Sequence, residues 1–208
     1  MTPPQQDPSA DSLDAWRDYA LEYLRQQLAE AAPGQLGPSA IFDRSPLEGE
    51  GATALFRFQT FRQKESREDC VVVVGRTAPN YYPDYGLNFD EAFELHLGTR
   101  FMLVMGVAQR SQPPSGEYDM QKDARLIVDK IAPGAAIDDL RLATAFDVDG
   151  RLHAVLRCRV AGQEVYIMAA DAPHGFSRRA DLPPQVAYRL HIGHVLRREP
   201  SPDQGKVR

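Results

Sequence analysis

DCVVVVGRTAPNYYPDYGLNFDEAFELHLGTRFMLVMGVAQR, residues 69–110, decides how the fold is read. Residues 70–74 are a continuous apolar run, β-branched after the first position and too short for a typical helix. Being apolar on both faces, the run predicts a buried central strand. Asn88 with Glu91 three residues later is an N-cap with a reciprocal partner, and it starts a helix at Phe89. Between strand and helix, residues 77–88 are expected as a connecting loop that holds Tyr81, Tyr82 and Tyr85 beside Pro79 and Pro83. The helix is apolar at Phe89, Phe93, Leu97, Phe101, Val104, Met105 and Ala108, although Gly98 and Gly106 weaken it. A break at Gly98 followed by a strand FMLVMGVA is the alternative for residues 98–108.

Upstream, Asp11 or Ser12 caps a first helix with one apolar face, Leu13, Trp16, Ala20, Tyr23, Leu24, Leu28 and Ala31, stopped by Pro33-Gly34. Residues 33–51, rich in Pro and Gly, are expected as a linker. Residues 54–61 alternate, with Ala54, Phe56, Phe58 and Thr60 on one side and Arg57 and Gln59 on the other. This predicts a half-buried strand joined to the valine strand through the charged turn QKESRED.

Downstream, residues 111–116 form a turn, and Met120, Ala124, Ile127, Val128 and Ile131 mark a helix ended by Pro133-Gly134. Two hairpins follow. A three-residue loop at Val148-Asp149-Gly150 would pair Phe146 with Leu152, Thr144 with Ala154 and Leu142 with Leu156, keeping one face apolar. A two-residue turn at Ala161-Gly162 pairs Cys158 with Val165 and Leu156 with Ile167. Its other face pairs Arg159 with Glu164 and Arg157 with Tyr166, a salt bridge and a cation–π contact. Val186, Tyr188, Leu190, Ile192, His194 and Leu196 alternate as a last strand, and no internal repeat is evident.

The composition bounds the function. The chain has 208 residues and a formal charge of −5, which argues against a nucleic-acid partner. The segment from Ala172 to the end is basic by +4, leaving −9 for the remainder, and reads as a solvated face. No apolar stretch reaches membrane-spanning length and the N-terminus has no secretory pattern. With Cys70 and Cys158 read as buried reduced thiols, a soluble cytoplasmic protein is expected. Nucleotide, hydrolase and zinc motifs such as GxGxxG, GxSxG, CxxC and HExxH are missing. His191 and His194 would point to opposite faces of a strand, so neither metal nor cofactor is expected. His153 is assigned to a charged outer face.

Five residues form the candidate ligand site: Tyr81, Tyr82, Tyr85, His96 and Arg100. The rings could stack on a planar ligand, and His96 and Arg100, four apart on one helix side, could bind an anion. The plainer reading has the rings cover a core and Arg100 clamp residues 77–88 onto the sheet through their carbonyls or Asp84. Asp90, Glu91 and Glu94 suit the helix dipole rather than acid–base work.

The expected fold is α+β, a mainly antiparallel sheet with two to three helices packed on one face. It forms a single domain over residues 11–198 between disordered tails at 1–10 and 199–208. The leading functional reading is a non-catalytic binding or adaptor domain presenting Arg57, Gln59, Arg157, Arg159 and Tyr166 to an unknown protein or small anionic ligand. The alternative is a small-molecule enzyme or ligand-binding domain, with a pocket under residues 77–88 and Arg100 as anion anchor.

Overall fold

A computed structural model describes residues 13–28, 32–42, 53–62, 66–75, 79–110 and 118–198. The expected tails and the 111–116 turn lie outside the described residues. The chain is α+β with antiparallel strands divided between two sheets. Described residues up to Ala92 form one unit and those from Phe93 onward a second.

In the first unit, α1 (Leu13–Gln27) is followed by β1 (Ala32–Phe42), β2 (Thr53–Arg62), β3 (Ser66–Gly75) and β4 (Asn80–Pro83), which pair in that order. The valine run is the inner strand β3, with Val71, Val72, Val73 and Val74 all buried. Trp16, Ala20, Leu24 and Leu28, one helical face, close over Ala54, Phe56, Phe58, Cys70, Val72 and Val74. Two expectations need correction. Part of the supposed linker 33–51 is β1. Its prolines and glycines are tolerated because it is an edge strand, where a missing donor breaks no inner ladder, and register shifts at Pro33/Leu36 and Leu36/Ser39 absorb the irregularity. The supposed loop 77–88 contains β4, which places Tyr82 opposite Val71 and Tyr81 opposite Val72.

α2 (Phe89–Val104) continues through Gly98, so residues 98–104 are helical and the strand alternative fails there. Its cap is as expected: Glu91 N donates to Asn88 Oδ1 at 2.9 Å and Asn88 N to Glu91 Oε2 at 3.0 Å. The second unit then adds β5 (Ala108–Arg110), α3 (Met120–Ile131), β6 (Ile137–Val148), β7 (Arg151–Val160), β8 (Gln163–Ala170), β9 (Gly175–Ser177) and α4 (Pro184–Arg198). Its five strands pair in sequence order. α3 seats Ala124, Ile127 and Val128 on Ala154, Leu156, Cys158, Val165 and Ile167. α4 seats Ala187, Tyr188 and Ile192 on the opposite sheet face, against Phe146, Val155, Tyr166 and Met168.

The β7–β8 register is as expected: Cys158 faces Val165, Arg159 faces Glu164 and Arg157 faces Tyr166. The ion pair runs diagonally, however, with Arg157 Nη2 donating to Glu164 Oε2 at 2.6 Å, while Arg159 reaches Asp139 at 3.5 Å. The β6–β7 hairpin differs near its turn. Asp149 and Gly150 both have positive φ, 52° and 76°, so the loop has two residues and its twist matches the strands. Phe146 therefore faces His153, not Leu152. A register shift between Leu142 and Thr144 brings Leu142 back opposite Leu156, which restores the apolar face by a bulge rather than by a longer turn.

The expected last strand is the helix α4. Pro184 in the first turn needs no donor, and Val186 N and Ala187 N both reach Pro183 O. Alternation at residues 186–196 coincided with a helical apolar face, because 186, 190 and 193 and also 188 and 192 share sides of a helix.

The element order now exposes a repeat that the sequence reading missed. Helix, three long strands, one short strand and helix occur twice, as α1-β1-β2-β3-β4-α2 and α3-β6-β7-β8-β9-α4. The closing helices carry AFELHLG (92–98) and AYRLHIG (187–193) at the same distance from their starts. ALFRF (54–58) and AVLRC (154–158) match likewise, with identical pairing to the next strand: Arg57 opposite Val71, Arg157 opposite Tyr166.

The glycines of the repeated heptapeptide serve close approach. A Cβ on Gly98 would lie 1.9 Å from Arg189 O, and one on Gly193 would lie 1.8 Å from Glu94 O. The contact is reciprocal: each glycine, tenth in its helix, meets the sixth residue of the other. In an unpacked helix Gly→Ala would gain about 1 kcal/mol of propensity. Here backbone atoms block the methyl group, so overpacking outweighs that gain. Gly98→Ala and Gly193→Ala should each lose about 3 kcal/mol or more in denaturant unfolding. A stabilised variant would contradict the close crossing.

Candidate functional site

Of the five expected site residues, Tyr81, Tyr82 and His96 take up packing positions. Tyr81 sits on β4 beside Tyr23 of α1, with ring centroids 6.5 Å apart, and Tyr82 is buried on the same strand. Tyr85 is half-buried in the segment after β4. Asp84 of that segment pairs with Arg57, whose Nε lies 3.3 Å from its Oδ2, and Arg57 Nη2 donates to Leu87 O at 2.6 Å. Arg57 thus makes a clamp of the kind suggested for Arg100. His96 is only 2% exposed on α2, while Arg100 is half-buried.

The other histidines of α4 and the sheet are tied to internal partners. His153, expected on a solvated face, is buried; its Nδ1 shares a 2.6 Å hydrogen bond with Tyr188 Oη, and Tyr188 stacks on Phe146. The reason is that α4 covers this face of the sheet. His191, half-buried, donates from Nε2 to Pro173 O at 2.7 Å, and its ring occupies the space a Cβ on Gly175 would need. His194 Nδ1 lies 2.8 Å from Glu94 Oε1, which Arg197 also approaches at 3.7 Å. His191 and His194 therefore serve separate partners on a helix, and among the described residues no group of three His, Cys, Asp or Glu is placed to hold a metal ion.

One open cleft, of about 700 Å³, lies on the second unit where β7 and β8 meet the segment leading into α4. Arg157, Glu164, Tyr166, Arg178 and Asp181 supply its polar groups, and residues 182–184 its apolar wall. None of the five expected residues lines it. The residues of the expected polar face come from two sheets, Arg57 and Gln59 from one and Arg157, Arg159 and Tyr166 from the other, and Tyr166 is buried. Arg157 holds its guanidinium 5.9 Å over the Tyr166 ring, and Tyr166 Oη donates to Leu182 O at 2.9 Å. That carbonyl corresponds to Leu87 O, which Arg57 binds in the first unit. Tyrosine has taken over the carbonyl that arginine holds in the first copy, and Arg157 faces the cleft instead. Sequence reasoning placed Arg157 on the polar face offered to a partner but did not set it beside Arg57; the signal that could have done so is the match of ALFRF to AVLRC.

No known protein family matches the chain, and no curated protein does so either.

Burial sets the titration of the imidazoles. Desolvation, and next the positive charge of Arg100, pull His96 down to about 4. Desolvation also lowers His153, against the opposing charge of Asp171, and lowers His191 despite its bond to Pro173 O. The unfolded chain takes up protons at these groups as pH falls through about 6.5, while the folded chain does not until lower pH. Stability is therefore complete above 6.5 and lost as pH falls toward 4, with His96 alone contributing up to about 3 kcal/mol of that loss. The urea midpoint should fall between pH 7 and pH 4.5, and His96→Asn should make the fall shallower. An unchanged slope would contradict the burial of a neutral His96.

Proposed function

We propose that the protein is a non-catalytic binding or adaptor protein that engages a polypeptide partner through the cleft of the second unit. The observation that carries this reading is the gathering of exposed charge at an open cleft beside an apolar wall. His174 is exposed, whereas four of the five histidines are buried or engaged within the protein. His153, His191 and His194 serve internal partners, and His96 is desolvated. Cys70 and Cys158 are both buried and form no disulfide, and burial pushes the Cys158 thiol up to about 11, far from a nucleophilic thiolate. Small-molecule enzymes usually enclose their substrates, whereas polypeptides dock on open, mixed polar and apolar surfaces. Two cysteines outside any disulfide go with a reducing cytoplasmic setting. No helix among the described residues is long and apolar enough to cross a membrane.

The reading is tested by placing a photo-crosslinking side chain at Ala180, on the cleft wall. A macromolecular partner should be captured, and Arg178→Glu should weaken capture at least about tenfold by reversing a rim charge. Arg178 is exposed, so the thermal midpoint should hardly change. Capture unaffected by Arg178→Glu would overturn the cleft as the binding surface.

A further inference from the structure

The two copies of the repeat differ at one pair of positions in a way that specifies a ligand. In the first unit the Nε edge of Arg57 faces the Asp84 carboxylate at 3.3 Å. In the second unit the corresponding atom, Arg157 Nε, is buried and has no hydrogen-bond partner. The strand pairings align Val71 and Tyr82 with Tyr166 and Ser177, and the same spacing aligns Asp84 with Arg179 and the buried Leu87 with the buried Leu182. The acid that satisfies the arginine in the first copy is replaced by a base in the second. Arg179 turns to Asp181 instead, its Nε donating to Oδ1 at 3.1 Å, and its backbone N bonds Ser177 Oγ rather than following the path of Asp84.

We propose that the cleft binds an aspartate or glutamate side chain of a partner polypeptide, whose carboxylate docks on the Nε edge of Arg157 in the place Asp84 takes on Arg57. This rests on the binding reading above and names its ligand. A buried N–H without an acceptor costs about 1–3 kcal/mol, so an incoming oxygen recovers free energy that the first copy satisfies internally. A carboxylate fits better than a neutral acceptor because Arg178 adds a second guanidinium to the cleft. The two acids of the lining are already engaged: Glu164 accepts from Arg157 Nη2, as Leu87 O accepts from Arg57 Nη2 in the first copy, and Asp181 accepts from Arg179. The wall of Leu182, Pro183 and Pro184 gives apolar contact to residues flanking the acid. An open cleft of this kind suits a chain that runs across it rather than a small acid that must be enclosed.

Arginine Nε–Hε groups give their own nuclear magnetic resonance signals, so Arg157 can be read directly in the full chain. The probes are a mixture of short capped peptides, each with one central Glu and no other acid, the same mixture with Gln, and free succinate. The Glu mixture should shift the Arg157 signal saturably, the Gln mixture should bind at least tenfold more weakly, and succinate should have no effect at equal concentration. Arg157→Lys keeps a charge for Glu164 but lacks the Nε edge, and should lose binding of the Glu mixture. Should that variant unfold, Arg178→Gln should weaken the same titration severalfold. No shift with the Glu mixture, or equal shifts with Glu and Gln, would overturn the carboxylate assignment. Succinate as effective as peptide would overturn the polypeptide source. Either failure leaves the binding reading to be decided separately by crosslinking at Ala180.

Discussion

The close crossing of α2 and α4 sets the geometry on which the second unit depends. Two helices normally stand 8–10 Å apart, kept there by side chains. Gly98 and Gly193 remove those side chains where each helix meets the backbone of the other. The approach brings Glu94 within reach of His194 and Arg197. From the same helix α4, Tyr188 lies on Phe146 and bonds His153, and Ile192 enters the core of the sheet. A methyl group at either glycine would displace backbone, not a yielding side chain, so these contacts would shift together.

The repeated heptapeptide explains why glycine recurs at equivalent positions of the two helices, and the repeat extends into the strands. Similar backbones then carry different chemistry at a few positions. Arg57 reaches a carboxylate and a carbonyl of its own unit, which fixes the segment after β4. Arg157 stands on a matching strand, but Tyr166 supplies the carbonyl contact and Arg179 replaces the acid. The result is a cleft where the first unit has a closed contact. A duplicated plan in which one copy is satisfied internally is a natural origin for a binding surface in the other.

Much of the fold was legible because local signals and burial agreed. The capping pair Asn88 and Glu91 located α2, the valine run gave the inner strand, and the Ala161-Gly162 turn fixed the β7–β8 register, since a one-residue slip would expose Cys158, Val165 and Ile167. Errors arose where a distant element decides the outcome. His153 looks solvated until α4 is laid over it, and α4 itself resembled a strand because its apolar residues satisfy two periods at once. The bulge at Ala143 could not be foreseen, since the hairpin trades a matched register for a better turn. The edge strand β1 was hidden by prolines that only an edge tolerates. The candidate site was the least legible part. Arg157 is notable for the partner it lacks, and that emerges only when its copy Arg57 is seen beside Asp84.

The central claim is that the two units follow one plan, in which the strand arginine meets an acid of its own copy in the first and its Nε lacks a partner in the second. Restoring the acid tests it most directly. A crystal structure of Arg179→Asp should place the new carboxylate within about 3.5 Å of Arg157 Nε, the reach of an ion pair, and should show the cleft filled as the Arg57 site is. A new carboxylate turned to solvent, with Arg157 Nε still unpaired and the cleft unchanged, would contradict the equivalence of the two sites.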